Sequence, residues 1–198
     1  IGAADMGTGC DTILSQMAAD VLHVSTDEIF VSGADTDNSP YDSGSYASST
    51  TYITGQAVVK ACTELERRIC KLAALMMECD EEDVELEGHQ ACNIKTGRSV
   101  TTEEVGFKAQ SFNDFALQVT ESHTSPVSPP PYMAGAVEIE LDKATGHVEV
   151  LDYASVIDCG TVVNPNLATV QAEGGLGQGI GMTLYENIQY TEKGQMIN

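Results

Sequence analysis

The sequence predicts an α+β fold, with mixed or antiparallel strands packed against two or three longer helices, and three observations predict it. Apolar residues recur at helical spacing in two stretches, residues 13–22 and residues 58–75. Residues 84–94 and 132–142 instead alternate apolar with polar side chains, as half-buried strands do. Turns rich in Gly, Ser, Thr and Asp separate these segments, and two of them lead straight into a helical pattern. At 198 residues the chain reads as one domain, residues 1–198, able to bury roughly 70% of its unfolded surface.

The elements follow in order. Residues 1–9 are glycine-rich, with Gly2, Gly7 and Gly9 around Asp5 and Met6. Ile13, Leu14, Met17, Ala18, Val21 and Leu22 then mark an amphipathic helix, with Asp11 and Thr12 as its expected caps. Residues 27–32 read as a short strand. Asp35, Asp37 and Asn38 have part of a calcium-loop spacing but lack its central Gly and final Glu, so they read as turn formers. A long helix is expected over residues 51–77, its wet side carrying Glu64, Glu66, Arg67, Arg68 and Lys71. An acidic turn at 78–83 leads into a hairpin at 84–94, broken at Gly88. Residues 101–107 resemble a capped short helix, and 112–117 a second one.

Residues 125–131 form a stiff proline-rich connector. Strands are expected at 132–142 and 148–157, joined by the turn at 143–146, and residues 158–165 read as a loop. Residues 170–184 read as a helix despite Gly174, Gly175, Gly177, Gly179 and Gly181. Each glycine costs a helix about 1 kcal/mol relative to alanine. A helix keeps so many where another backbone or a flat ligand approaches closely. Residues 185–190 and the turn at 191–194 suggest a closing hairpin.

Composition excludes several classes of function. The formal charge of −21 opposes binding to nucleic-acid backbones and to anionic membranes. No apolar run reaches the roughly 20 residues that span a bilayer. No secretion signal is visible, and a cytoplasmic fragment of a longer chain is the expectation. Six cysteines contain no CxxC pair, and no His stands at ligand spacing to them, so reduced thiols are expected and zinc is not.

The stretch from Pro40 to Cys62 carries the strongest local signal. Ala47, Ser48, Ser49, Thr50 and Thr51 stand where the long helix begins. A helix start exposes unpaired N–H groups and a partial positive charge, which suits an anion. One hydroxyl is enough for an N-cap, so several point to a polar ligand. In so acidic a chain that ligand is held by amides and hydroxyls, not by a basic field.

Three segments, in this order and spacing, resemble the molybdenum hydroxylase family, the xanthine dehydrogenase and aldehyde oxidoreductase group. They are Asp5-Met-Gly-Thr-Gly-Cys-Asp-Thr12, the stretch from Ser45 to Cys62, and Asn164-Pro165 through Gln171-Ala-Glu-Gly-Gly-Leu-Gly-Gln-Gly-Ile-Gly181. The resemblance covers nearly the whole chain and implies the second, C-terminal molybdenum-cofactor-binding region of the large subunit. It implies cofactor-binding turns at helix N-termini. By the resemblance, Thr8, Gly9, Cys10, Asp11 and Thr12 would form one wall and Ala47, Ser48, Ser49, Thr50 and Thr51 a second, with the backbone near Ala47 facing the metal end, and Gln178 would contact the pterin. Thr8 stands where the family usually has Gln, which removes one amide from the first wall.

The resemblance further implies molybdenum–molybdopterin, or its cytosine dinucleotide form, with iron–sulfur clusters and FAD on other domains or subunits of an oligomer. The expected reaction is hydroxylation of a purine-type heterocycle with water as oxygen source. An aldehyde or nicotinate hydroxylase is the alternative within the family. A cofactor-free, non-catalytic module is the alternative for the isolated chain. The family's general base is a glutamate in a Gly-Val-Gly-Glu-Pro-like motif, and no such motif occurs in residues 1–198. Glu173 and Glu186 lie in matching segments but not at that position, so no catalytic residue and no metal ligand is expected here.

Overall fold

The computed structural model describes residues 1–111 and 117–198. The expected short helix at 112–117 falls largely outside the described residues. Two compact units emerge, residues 1–128 and 129–198. Both combine helix with antiparallel strands, as the α+β expectation requires.

The first unit holds α1 (Cys10–Leu22) and α2 (Thr50–Met77). Helix α2 matches the expected span to within one residue. Behind its C-terminal half lies a three-stranded antiparallel sheet of β1 (Val84–Glu87), β2 (Gln90–Asn93) and β3 (Ser99–Thr101), followed by α3 (Thr102–Ala109). The core is built where these meet. Leu72, Ala73, Ala74 and Met77 of α2 pack with Val84, Leu86, Ala91, Val105 and Ala109. Strand β1 alternates buried and exposed, so Val84 and Leu86 face the core while Glu85 and Glu87 face water. The hairpin turns at Gly88, whose φ of 58° glycine adopts without steric cost. Helix α3 opens with a reciprocal capping box, Thr101 accepting from the Glu104 amide and Glu104 from the Thr101 amide. Strand β3 is too short to show a period in the sequence.

Two expectations in this unit are corrected. Residues 27–32 form no strand. Ser25 and Glu28 make a capping box around a 3₁₀ turn at Thr26–Glu28, and the extended residues after it meet no partner strand. The local side-chain bonds win over the β pattern. The cap of α1 is neither Asp11 nor Thr12. The N-cap is Gly9, and the carboxylate of Asp5 reaches over from outside the helix. The acids at 35–38 form a turn as expected: Asp35 accepts from the Asp37 amide and the Asn38 side chain, which holds its carboxyl below the usual range.

The second unit is a long ribbon and a helix. Strands β4 (Tyr132–Leu141) and β5 (Val148–Asp158) pair antiparallel with a bulge at Glu138/Ile139. Helix α4 (Pro165–Leu184) starts five residues earlier than expected, because Asn164 caps it through the Leu167 amide and Pro165 takes its first position. The closing hairpin reduces to one bridge, Tyr190 with Met196, around the turn at Thr191. Among the described residues no helix is long and apolar enough to cross a membrane, and all six cysteines are free thiols.

Candidate functional site

Helices α1 and α2 lie side by side and run in the same direction. Near their starts, Gly55 faces Met17 and Leu14. Farther along, His23 Nε2 lies 3.9 Å from Glu66 Oε1. Advancing on one helix therefore advances on the other, and both N-termini open at the same end of the unit. Their partial positive charges add there. The loops before them also touch, since Ser45 Oγ donates to the Ala4 carbonyl at 3.3 Å. The two walls expected at Thr8–Thr12 and Ala47–Thr51 are thus neighbours within one unit.

The two walls differ electrically. At α1, Asp5 Oδ1 accepts from the amides of Gly7 (2.8 Å) and Gly9 (3.2 Å), and Oδ2 from that of Asp11 (3.4 Å). These bonds, with that to Gly7 the largest, hold the Asp5 carboxyl below its usual value. An internal anion already occupies this turn. The composition around Asp5, an acid just before two glycines, is the sequence signal for it. Cys10 is buried, and its thiol is pushed up to about 11, chiefly by burial and then by Asp5 and Asp11. Asp5, Cys10 and Asp11 come within 4.8 Å of one another. A protonated thiol and a carboxylate spent on three amides make a poor metal-ligand set. Thr8 and Thr12 are exposed.

At α2, the turn is strained and its amides are free. Ala47 and Ser48 both have left-handed backbones, with φ of 53° and 54°, at about 1–2 kcal/mol each for a residue with a Cβ. Ser49 then returns to the right-handed region. A left-handed residue followed by a right-handed one turns successive amides toward one side, a common anion-binding nest. The hydroxyl of Ser49 donates back to the Tyr46 carbonyl at 2.7 Å and so caps no helical amide. Among the described residues, the amides of Thr50, Thr51 and Tyr52 donate to no protein acceptor. Three donors at a helix start await an acceptor.

Glycine keeps both sites open. A Cβ on Gly7 meets nothing within 4 Å, which leaves room for a flat ligand over the backbone. On α4, in the second unit, the same holds for Gly174, Gly175, Gly177 and Gly179, and Gln178 is exposed among them. Within the first unit, the neutral donors at the α2 start and the open face over Gly7 fit a ligand with phosphate and ring edges.

The family model for the molybdopterin cofactor-binding domain matches residues 1–198. The chain belongs to this family. Among curated relatives it is 34% identical over 197 residues to a probable hypoxanthine oxidase, XdhD, of Escherichia coli K12, covering 99% of this chain and 20% of that protein. It is 33% identical to the nicotine 6-hydroxylase large subunit of Paenarthrobacter nicotinovorans, covering 98% of this chain and 25% of that one. The crystal structure of quinoline 2-oxidoreductase from Pseudomonas putida 86 superposes with a TM-score of 0.82 at 28% identity, over 99% of this chain and 26% of that one. The molybdopterin-binding domain therefore spans about a fifth to a quarter of the length of these relatives. The resemblance read from the three motifs is borne out at the level of the family.

Proposed function

We propose that this domain supplies one side of the molybdenum–molybdopterin site of a xanthine dehydrogenase-like hydroxylase acting on a purine-type heterocycle. The observation that carries it is the pair of parallel helix starts, one of them offering three unpaired amides. The amides of Thr50, Thr51 and Tyr52, with the hydroxyls of Ser48, Thr50 and Thr51, take the phosphate of the cofactor. The backbone near Ala47 faces the metal end. Thr8, Gly9, Cys10, Asp11 and Thr12 form the opposite wall, where Asp5 fixes the backbone and the Cys10 thiol stays protonated. Gln178 offers an amide to the pterin.

When bound, the cofactor supplies two-electron oxidation and the water-derived oxygen of hydroxylation. This chain's residues bind and orient it, and none is assigned as the general base. The side chain of Glu186 lies over Gly181 and its amide donates to the Gly181 carbonyl, which fits a helix-ending role. The purine-type substrate is favoured by likeness to the probable hypoxanthine oxidase. Likeness to the nicotine hydroxylase favours a second reading, a different N-heterocycle at the same site. Iron–sulfur and FAD-bearing domains, the rest of the large subunit and an oligomeric assembly complete the proposed enzyme. An isolated 198-residue chain is expected to purify without cofactor, and molybdenum near one per chain would overturn that.

Thr51→Glu in the full-length protein tests the site. A carboxylate in the first turn of a helix stabilises it by about 0.3–1 kcal/mol. The same charge repels a phosphate, at about 4 kcal/mol for unit charges 4 Å apart near a surface. The variant is therefore expected to be at least as stable as the parent, with molybdenum content at least tenfold lower. Full molybdenum content in a folded Thr51→Glu protein refutes the placement.

A further inference from the structure

The ribbon of β4 and β5 has two unlike faces. Residues directly opposite in an antiparallel pair share a face. Val137, Ile139 and Leu141 stand opposite Tyr153, Val150 and Val148, which makes one face apolar. Glu138 and Glu140 stand opposite Asp152 and Glu149, which makes the other acidic. The bulge keeps the two faces distinct. Strict alternation along β5 from Val148 would carry Asp152 onto the apolar face and Tyr153 onto the acidic one. Leu151 pairs with no residue of β4, and this one extra residue restores the phase. Farther along the apolar face Tyr153 lies over Gly135, where a Cβ would meet its phenol.

The acidic face suits water, and the apolar one has the composition of a core. Yet Met133, Val137 and Ile139 of that face are 58, 55 and 50% exposed. The second unit does not close over them, since none of its described residues is buried. Helix α4 shows the same deficit. One residue in its twenty, Glu173, is charged, and the helix buries none of its side chains. A helix with no charged side is one that a protein surrounds, and a two-stranded ribbon is marginal in water alone.

Length and charge decide what covers the apolar face. A second copy would bring the same charge of −21 with it, and anionic lipid meets the same repulsion. The curated relatives, by contrast, have three quarters or more of their length outside the segment that this chain matches. A tethered segment of the same polypeptide acts at about millimolar effective concentration, and it needs no association between like-charged subunits.

We propose that the apolar face of the β4–β5 ribbon is a docking surface for an apolar surface of the same large subunit, supplied by polypeptide outside residues 1–198. This rests on reading the chain as part of a xanthine dehydrogenase-like large subunit, but not on cofactor binding.

Replacing Ile139, and separately Glu140 on the acidic face, by photoactivatable benzoylphenylalanine in the full-length protein tests the docking. Illumination is expected to join position 139 to peptides of the same chain outside residues 1–198, in a band of single-subunit mass, with about tenfold the yield of position 140. Hydroxyl-radical footprinting of the unsubstituted full-length protein guards against a face disturbed by the probe. There Met133 is expected to be oxidised about tenfold more slowly than an exposed methionine, while Tyr132 on the acidic face reacts as an exposed tyrosine. A product of twice the subunit mass, cross-links chiefly to residues 1–128 or to another subunit, equal yields from the two positions, or a Met133 that reacts as an exposed methionine each overturns the docking. A protein that cross-links as expected but purifies without molybdenum supports the docking and overturns the cofactor reading instead.

Discussion

Gly55 is where the α1–α2 geometry can be tested most sharply. It is buried on α2, and a Cβ there would stand 2.6 Å from Met17 Sδ, 3.0 Å from Met17 Cε and 3.9 Å from Leu14 Cδ2. For Gly55→Ala two effects oppose. Alanine gains about 1 kcal/mol of helix propensity, and the clash falls on the far end of a flexible thioether, which can swing aside. Gly55→Ala is therefore expected within about 1 kcal/mol of the parent. Gly55→Val adds two methyl groups that Met17 cannot clear without moving α1, so overpacking of about 1–3 kcal/mol is expected. Removing the obstacle should undo part of this loss. Met17→Ala and Gly55→Val together are expected to be more stable than the sum of the singles by at least about 1 kcal/mol. Urea denaturation with an unchanged slope measures each value. A Gly55→Val protein as stable as the parent, or strict additivity in the double variant, would refute the direct packing of these helices. In a full-length protein, Gly55→Val should also lower molybdenum content, because it spreads the two helix starts apart.

Asp5 and Cys10 give further tests. Asp5→Asn loses the charge that three amides share, and is expected to cost about 1 kcal/mol, the usual value of a lost cap. A carboxyl depressed in the folded state stabilises above its unfolded value and loses that contribution as pH falls through the folded one. The gap between parent and Asp5→Asn should thus narrow as pH falls through and below the usual carboxylate range in thermal unfolding; a constant gap would mean the charge is irrelevant. Cys10, buried with its thiol pushed up to about 11, should resist iodoacetamide at pH 8 while exposed Cys159 reacts first, as peptide mass spectrometry would record. Rapid labelling of Cys10 in the folded chain would contradict the closed turn.

The helices were legible in sequence because each buries one stripe. Leu14, Ala18 and Ala19 of α1, and Leu72, Ala73 and Met77 of α2, sit at the spacing that the 3.6-residue period requires. The hairpin at Gly88 and the ribbon β4–β5 were legible through alternation. The strand expected at 27–32 was not there, because alternation says nothing about whether a partner strand exists, and Ser25 with Glu28 offers the backbone a local alternative. The cap of α1 was hidden for a related reason. Propensity assigns caps to adjacent residues, whereas Asp5 acts from four to six positions upstream. Around the hydroxyl run, the part that sequence could not show is which groups are already engaged: Ser49 turns its hydroxyl to the Tyr46 carbonyl, while the amides of Thr50, Thr51 and Tyr52 meet no protein acceptor among the described residues.

The free amides bear on how a chain of charge −21 could hold the anion proposed for it. The long-range field is repulsive, but exposed charges more than about 10 Å away are largely screened. What remains is the first shell. At α1 that shell is already taken by Asp5, so a phosphate placed there must displace a carboxylate or share its amides. At α2 the amides of Thr50, Thr51 and Tyr52 carry no competing acceptor, and two left-handed residues hold them in place before any ligand arrives. Strain set in advance lowers the cost of ordering on binding. The asymmetry lies in the donors: Asp5 already satisfies the α1 turn and leaves an open face over Gly7, while the α2 start keeps three amides without an acceptor among the described residues, and it is on these that the proposed anion seat rests.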